Sequence, residues 1–313
     1  MMGKIEKAAI FGAAGAIGQS IAPELERRGI ALRVVGRSRE KMERAFPSAE
    51  IFPADLADSR SAGAAARGAD TIFYCVGLPY PSHHLHPQLM RTTIEAARMV
   101  GVRRLVLASS VYGYGVPRTV RVAEAHPREP HTRKGRYRKE QEDLVLAADT
   151  PGTFETMIVR LPDFYGPHAD LSLAKMVFDA ALAGKTVNWP GVVNTPHEFV
   201  FVPDAGPAIV EAATHDCYGD AWNYGGPGPI NTLDFITRVY RAAGRAPKYR
   251  AAGATLLRIA GWFDANIREV IEMLYLQETP VILDDSRLAA KLGGLQKTPY
   301  DEGIRRTIEF LKR

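Results

Sequence analysis

The run Gly12-Ala13-Ala14-Gly15-Ala16-Ile17-Gly18 lies between a strand-like segment, 8–11, and a helix-like segment, 16–28. No other feature restricts the fold as much. At such a junction each glycine meets a separate need. Gly12 permits a tight turn, Gly15 lets a phosphate approach the backbone, and Gly18 lets the helix lie close on the strand. The helix start adds free N–H groups and a positive dipole end. The loop is therefore expected to cradle the pyrophosphate of a dinucleotide, with Gly12, Ala14, Gly15, Ala16, Ile17 and Gly18 around it. In a chain with 28 glycines the bare spacing would be a weak sign. Its place in a strand–turn–helix gives it weight.

The pattern around this loop repeats. Segments 8–11, 32–35, 51–52, 71–76 and 104–108 are short runs rich in β-branched and aromatic residues, and helix-like segments lie between them at 16–28, 39–45, 59–67 and 87–100. Such alternation is the signature of βαβ units on a doubly wound parallel α/β sheet of the Rossmann type. A sixth strand, 155–160, follows a helix at 135–148. After Gly166 the rhythm breaks into a helix at 171–183, a strand-like patch at 186–189 and a loop containing His197. Strand-like runs at 199–202 and 221–224 follow, and the rest reads as mainly helical. The expected division is a dinucleotide-binding domain, 5–166 plus 196–224, and a smaller C-terminal substrate lobe, 167–195 plus 225–313.

Composition narrows the class of partner. The hydrophobic share of 46% and charged share of 24% belong to a globular chain rather than a disordered one. No window approaches the roughly 18 apolar residues that a membrane helix needs. The net charge of +5 comes from cations interleaved with acids. The densest basic run, Arg133, Lys134, Arg136, Arg138 and Lys139, is short for a duplex-binding surface, so no nucleic-acid partner is expected. Two cysteines, Cys75 and Cys217, are too few for a disulfide framework and read as buried thiols. Residues 1–7 lack an apolar secretion core, and a cytoplasmic location is expected.

The end of the second strand bears on which dinucleotide binds. An acid there suits the ribose hydroxyl of NAD, whereas cations suit the 2′-phosphate of NADP. Here it reads Gly36-Arg37-Ser38-Arg39. Arg37 can stack on adenine or pair with phosphate, and Ser38 can donate to it. NADP is expected ahead of NAD, with Asp55 and Leu56 at the adenine edge.

Taken together, these segments resemble an extended short-chain dehydrogenase/reductase of the NAD-dependent epimerase/dehydratase family. Beyond the glycine loop, Leu105-Val106-Leu107-Ala108-Ser109-Ser110-Val111-Tyr112-Gly113 is similar to the family's fifth strand with its active-site serine. Arg160-Leu161-Pro162-Asp163-Phe164-Tyr165-Gly166-Pro167 resembles the segment leading to the substrate lobe, and Phe201-Val202-Pro203-Asp204 the return to the sheet. Tyr224-Gly225-Gly226 and Pro299…Glu302-Gly303 match later landmarks. The resemblance implies hydride transfer at a nicotinamide ring, a carbonyl or hydroxyl substrate, and a homodimer. A nucleotide sugar is one candidate substrate. Pairing would run through helices 87–100 and 135–148, with Leu144, Val145 and Ala148 supplying apolar surface.

One part departs from the family. Its catalytic helix begins Tyr-x-x-Ser-Lys, with a glutamate four residues on. Aligning Gly135 and Glu142 on their counterparts puts Lys134 in the tyrosine position and Arg138 in the lysine position. A rival register uses Tyr137 as the phenol and leaves Gln141 in the lysine position. Lys134 would steady an alkoxide or, with a lowered pKa, exchange a proton. Arg138 would bind the cofactor ribose. Counting along the strand makes Ser110 the hydroxyl donor, and counting back from Tyr112 makes it Ser109. Tyr165 and His197 are candidate substrate contacts where the lobes meet. His83-His84-x-His86 lacks a nearby cysteine or carboxylate, so a loop at the cofactor mouth is expected there rather than a metal. The rival to an enzyme is a catalytically silent NADP(H)-binding sensor or scaffold.

Overall fold

The strands expected in the first half join one seven-stranded sheet. Its order is Asp220–Asn223, Glu155–Leu161, Arg104–Ser110, Thr71–Tyr74, Lys7–Phe11, Ala31–Gly36, Glu50–Pro53. All neighbours are parallel. The computed structural model describes residues 4–253, 257, 265–279 and 281–313. Helices cover both faces of the sheet, which is why a central strand such as Thr71–Tyr74 is buried throughout and reads as a continuous apolar run.

On one face, Ala16–Arg27 and Val202–Thr214 contribute Ile17, Ile21, Leu25, Ile209 and Val210. These two helices touch at Gly206, whose N–H donates to the Ser20 hydroxyl at 3.0 Å. A Cβ on Gly206 would stand 2.2 Å from the Ser20 backbone, so the approach requires glycine. On the other face, Ser59–Ala66, His86–Met99 and Arg133–Ala148 bury Ala62, Leu89, Ile94 and Val145. This corrects the expected dimer surface. Val145 and Ala148 are spent on the chain's own core, and only Leu144 keeps part of its surface open.

The sheet order reverses at Lys7–Phe11. The chain first builds outward to Glu50–Pro53, then crosses back to Thr71–Tyr74. The carboxyl ends of these two neighbouring strands form the crevice where doubly wound sheets take ligands.

The later chain packs a smaller apolar cluster around Phe178, Trp189, Phe199, Phe235 and Ile304. Four details differ from the sequence expectation. Phe199–Phe201 pairs with Asp163–Tyr165 in a separate two-stranded sheet. The chain regains the main domain through the helix Val202–Thr214, whose early proline suits a helix start. His197 is not in a loop but in a short strand, Pro196–His197, antiparallel to Ile230–Asn231. The helix expected at 171–183 begins only at Lys175. Ser172 delays it, donating to the Phe164 carbonyl and accepting from the Ala174 N–H at 3.2 Å in a local turn that competes with the helix. No helix among the described residues is long and apolar enough to cross a membrane.

Candidate active site

The glycine loop is shaped by backbone contacts. Gly12 adopts φ +83°, and a Cβ there would meet the Cys75 carbonyl and Val76 nitrogen at 2.8 Å. A Cβ on Gly18 would sit 2.6 Å from the Ala13 oxygen. Gly15 is exposed at the head of Ala16–Arg27, and no side chain caps that helix. Its first-turn N–H groups are left for a ligand, and an anionic pyrophosphate fits such a place. Arg37 is exposed and forms no ion pair among the described residues. The Ser38 oxygen caps the next helix, accepting from the Lys41 N–H at 3.2 Å, and its own proton is free to donate. Asp55 is exposed and accepts from the Ala57 N–H at 3.0 Å, whereas Leu56 is largely buried in the core.

The structure separates the two serines. Ser109 donates to Glu142 at 2.5 Å, and Glu142 also takes two bonds from Arg160 at 3.0 and 2.9 Å. The Ser110 hydroxyl is buried and has no partner among the described residues. A buried polar atom left unpaired is costly unless a ligand completes it.

The helix Arg133–Ala148 starts with Thr132 accepting from the Gly135 N–H at 3.0 Å. A Cβ on Gly135 would stand 2.6 Å from Pro130 and 2.8 Å from the Tyr112 carbonyl, so this glycine sets how the helix meets the serine strand. Lys134 is almost wholly buried. Its ammonium donates to Glu272 at 2.7 Å and to Glu269, and lies 5.3 Å from the centre of the Tyr80 ring. The expectation of an amine free to exchange protons with substrate thus meets an ammonium already held by two carboxylates.

Arg138 is also turned inward, against the expected ribose contact. Its Nη1 donates to Gln141 and to His86 at 3.3 Å, and its Nη2 to the Ala108 carbonyl at 3.3 Å and the Ser109 hydroxyl at 3.2 Å. It holds the serine strand. Tyr137 sits half-exposed, and its hydroxyl has no hydrogen bond among the described residues.

The histidine run is used by the protein itself. His83 bonds the Leu78 carbonyl at 3.1 Å, and His86 takes the Arg138 contact. Burial, with the Arg138 charge, pushes His83 down to about 4 and His86 well below its ordinary value, so both rings are neutral near pH 7. No group of three such ligands could hold a metal among the described residues.

Sequence reasoning missed the phenols. Tyr80 and Tyr112 share a hydroxyl–hydroxyl bond at 3.2 Å beside Lys134. Burial and the Asp163 carboxylate push Tyr80 up to about 12, which keeps it a proton donor. Tyr112 stood in a quoted motif. Nothing in the spacing marked Tyr80, Glu269 or Glu272.

His197 and Tyr165 go to different places. His197 bonds Asp163 at 2.9 Å and, with Val111, Glu198 and Leu276, lines a small cavity. Tyr165 is buried in the apolar cluster of the later chain, stacked on Phe178 with ring centres 6.1 Å apart, and lines a separate cavity with His168 and Lys175.

The sheet, the glycine cradle at its reversal point and the serine at the neighbouring strand end define a dinucleotide-dependent enzyme of the extended short-chain dehydrogenase/reductase type. More narrowly, the chain belongs to the NAD dependent epimerase/dehydratase family, whose model matches residues 8–225. It is 26% identical over 299 residues to the mouse sterol-4-alpha-carboxylate 3-dehydrogenase, decarboxylating, covering 89% of this chain and 78% of that protein. A 4-hydroxy-2-methyl-3-oxo-4-farnesyl-3,4-dihydroquinoline-1-oxide ketoreductase from Stigmatella aurantiaca is 23% identical, covering 94% and 93%. In fold, the chain matches UDP-glucuronic acid 4-epimerase from Bacillus cereus, in complex with NAD, at TM-score 0.81 and 15% identity, covering 98% of each chain.

Proposed function

We propose that this enzyme transfers hydride between a nicotinamide dinucleotide, NADP ahead of NAD, and the carbonyl or hydroxyl carbon of a small cyclic substrate. The observation that carries the reading is the glycine cradle at the sheet reversal together with the unpaired Ser110 hydroxyl near its end. Gly12, Ala14, Gly15, Ala16, Ile17 and Gly18 would hold the pyrophosphate, and Asp55 and Leu56 would flank the adenine. The bound nicotinamide ring would supply or accept the hydride. Ser110 would donate to the substrate oxygen, Lys134 would anchor the helix head through Glu269 and Glu272, and Arg138 would keep the serine strand in place. Tyr137 is the alternative phenol. Arg37, exposed and without an ion pair among the described residues where NAD would call for an acid, supports NADP.

The names of the similar proteins, a sterol dehydrogenase, a quinoline-oxide ketoreductase and a sugar-nucleotide epimerase, support a ring-bearing alcohol or ketone. The free thiols Cys75 and Cys217 suit a reducing compartment such as the cytoplasm. A homodimer would use the open part of Leu144 and the 85% exposed Met99. The test is absorbance of the reduced nicotinamide while a panel of cyclic ketones, aldehydes and sugar nucleotides is offered with either cofactor. Turnover of one member supports the proposal. Tight cofactor binding with no turnover across the panel favours a silent NADP(H)-binding protein.

A further inference from the structure

We infer that residues 168–172 form the outer wall of the dinucleotide site and that Leu171 closes over the bound dinucleotide. The inference rests on the dinucleotide-binding reading and adds a wall that the glycine motif does not contain.

The floor of the crevice is tight. Gly12 follows the strand Lys7–Phe11 and Cys75 follows Thr71–Tyr74, and a Cβ on Gly12 would strike the Cys75 carbonyl. The loop after Asp163–Tyr165 reaches both rims above that floor. Ala169 packs in a small apolar cluster with Val202 and with Ala16, the first residue of the helix whose open N–H groups suit the pyrophosphate. Two residues on, the Leu171 Cδ1 lies 3.5 Å from where a Cβ on Gly77 would stand, just past Cys75 on the other rim. Neighbouring strands lie about 4.8 Å apart, and two residues of chain span up to about 7 Å. The loop therefore crosses the crevice from one rim to the other.

Its own bonds hold it in that place. Ser172 donates its hydroxyl to the Phe164 carbonyl and its N–H to the Ala169 carbonyl, the latter at 3.0 Å. His168 takes φ +60°, a left-handed conformation unusual for a residue with a Cβ. Its ring is braced edge-on against Phe310, with centres 4.6 Å apart. The loop's polar residues, His168 and Asp170, line a different cavity together with Lys175 and Phe310. What the loop offers the crevice is apolar, and Leu171 is 67% exposed there. A dinucleotide lying on the glycine cradle would cover that side chain and gain from the apolar area removed from water. A wall of this kind acts mainly on how fast the ligand leaves.

The test uses the whole protein. NADPH and NADH affinities of the parent are measured first by fluorescence titration. Leu171→Cys is then labelled with N-ethylmaleimide, with and without a saturating amount of the oxidised form of the tighter cofactor. Peptide mass spectrometry separates this thiol from Cys75 and Cys217. Cofactor should slow its labelling at least about tenfold, since thiol reactivity follows access. Val120→Cys, at an 85% exposed site in another loop, should label equally in both conditions. Leu171→Ala should release the reduced cofactor at least about fivefold faster in stopped-flow displacement. Labelling of Leu171→Cys that cofactor does not slow, or an unchanged release rate in Leu171→Ala, overturns the inference while the dinucleotide reading stands. A parent that binds neither cofactor overturns that reading itself.

Discussion

The glycine cradle and the head of the helix Arg133–Ala148 are built in different ways. The cradle is made of main chain. Gly12 and Gly18 sit where a single Cβ would strike backbone atoms, and a ligand would be met by N–H groups that no side chain alters. The helix head is made of long side chains. There Lys134, Arg138, Ser109, Glu142 and Glu272 satisfy one another through hydrogen bonds that could be drawn several ways from the same sequence. A site built from backbone tolerates little change. One built from side chains can be rewired while the fold stays the same.

Four measurements would break or sharpen this contrast. The largest effect is expected at the cradle. Gly18→Val puts carbon against the Ala13 main chain and should destabilise the protein by about 3 kcal/mol while abolishing measurable dinucleotide binding. A variant that melts and binds like the parent would show that the cradle is not rigid.

Next comes Lys134→Met, which takes the cation from between Glu269 and Glu272 at the helix head and should lower turnover about 100-fold with cofactor affinity nearly unchanged, the scale of a small misplacement of reacting groups. Tyr137→Phe should be mild. The reverse pattern would place the reacting phenol at Tyr137.

Third, Glu198 gives the site a pH signature. Its folded pKa of about 7 lies above the ordinary 4.5 because of burial. As pH rises, the unfolded chain loses this proton first. Its contribution to stability is therefore full below about pH 4.5 and falls until the folded carboxyl ionises near pH 7, by about 3 kcal/mol in all. Glu198→Gln should flatten that part of the pH–stability curve, as followed by urea denaturation. An unchanged slope would mean that Glu198 is better solvated than its surroundings indicate.

The smallest effect is at Arg37. NADPH should bind more tightly than NADH, and Arg37→Asp should reverse the order by about tenfold, the scale of one charge-assisted contact. Equal parent affinities in a fluorescence titration would remove the argument for NADP.

The same contrast explains what could be read in advance. Strands such as Lys7–Phe11 and Arg104–Ser110 announce themselves because burial on both faces leaves no room for polar alternation. Gly12 and Gly18 are legible because the need for glycine is steric and local. The inward turn of Arg138 was not legible, since it depends on His86 and Gln141 offering acceptors under the strand. Nor was the clamp on Lys134, whose partners lie 135 and 138 residues away. Spacing within one helix carries no information about a carboxylate that arrives from a distant part of the chain. Val145 and Ala148 misled for a related reason, because an apolar stripe does not say whether a sheet or a second subunit covers it.

The contact between Gly206 and Ser20 also bears on the order in which the molecule can be made. The two residues are 186 positions apart, so a ribosome releases the first helix well before its partner exists. Until Val202–Thr214 emerges, the outer side of Ala16–Arg27 has nothing to lie against, and the cofactor loop it anchors is unsupported. The N-terminal half contains the glycine motif complete, yet a fragment ending before residue 202 should not fold into a working nucleotide binder. For this chain, the part that reads as a self-sufficient module becomes one only when most of the polypeptide has been synthesised.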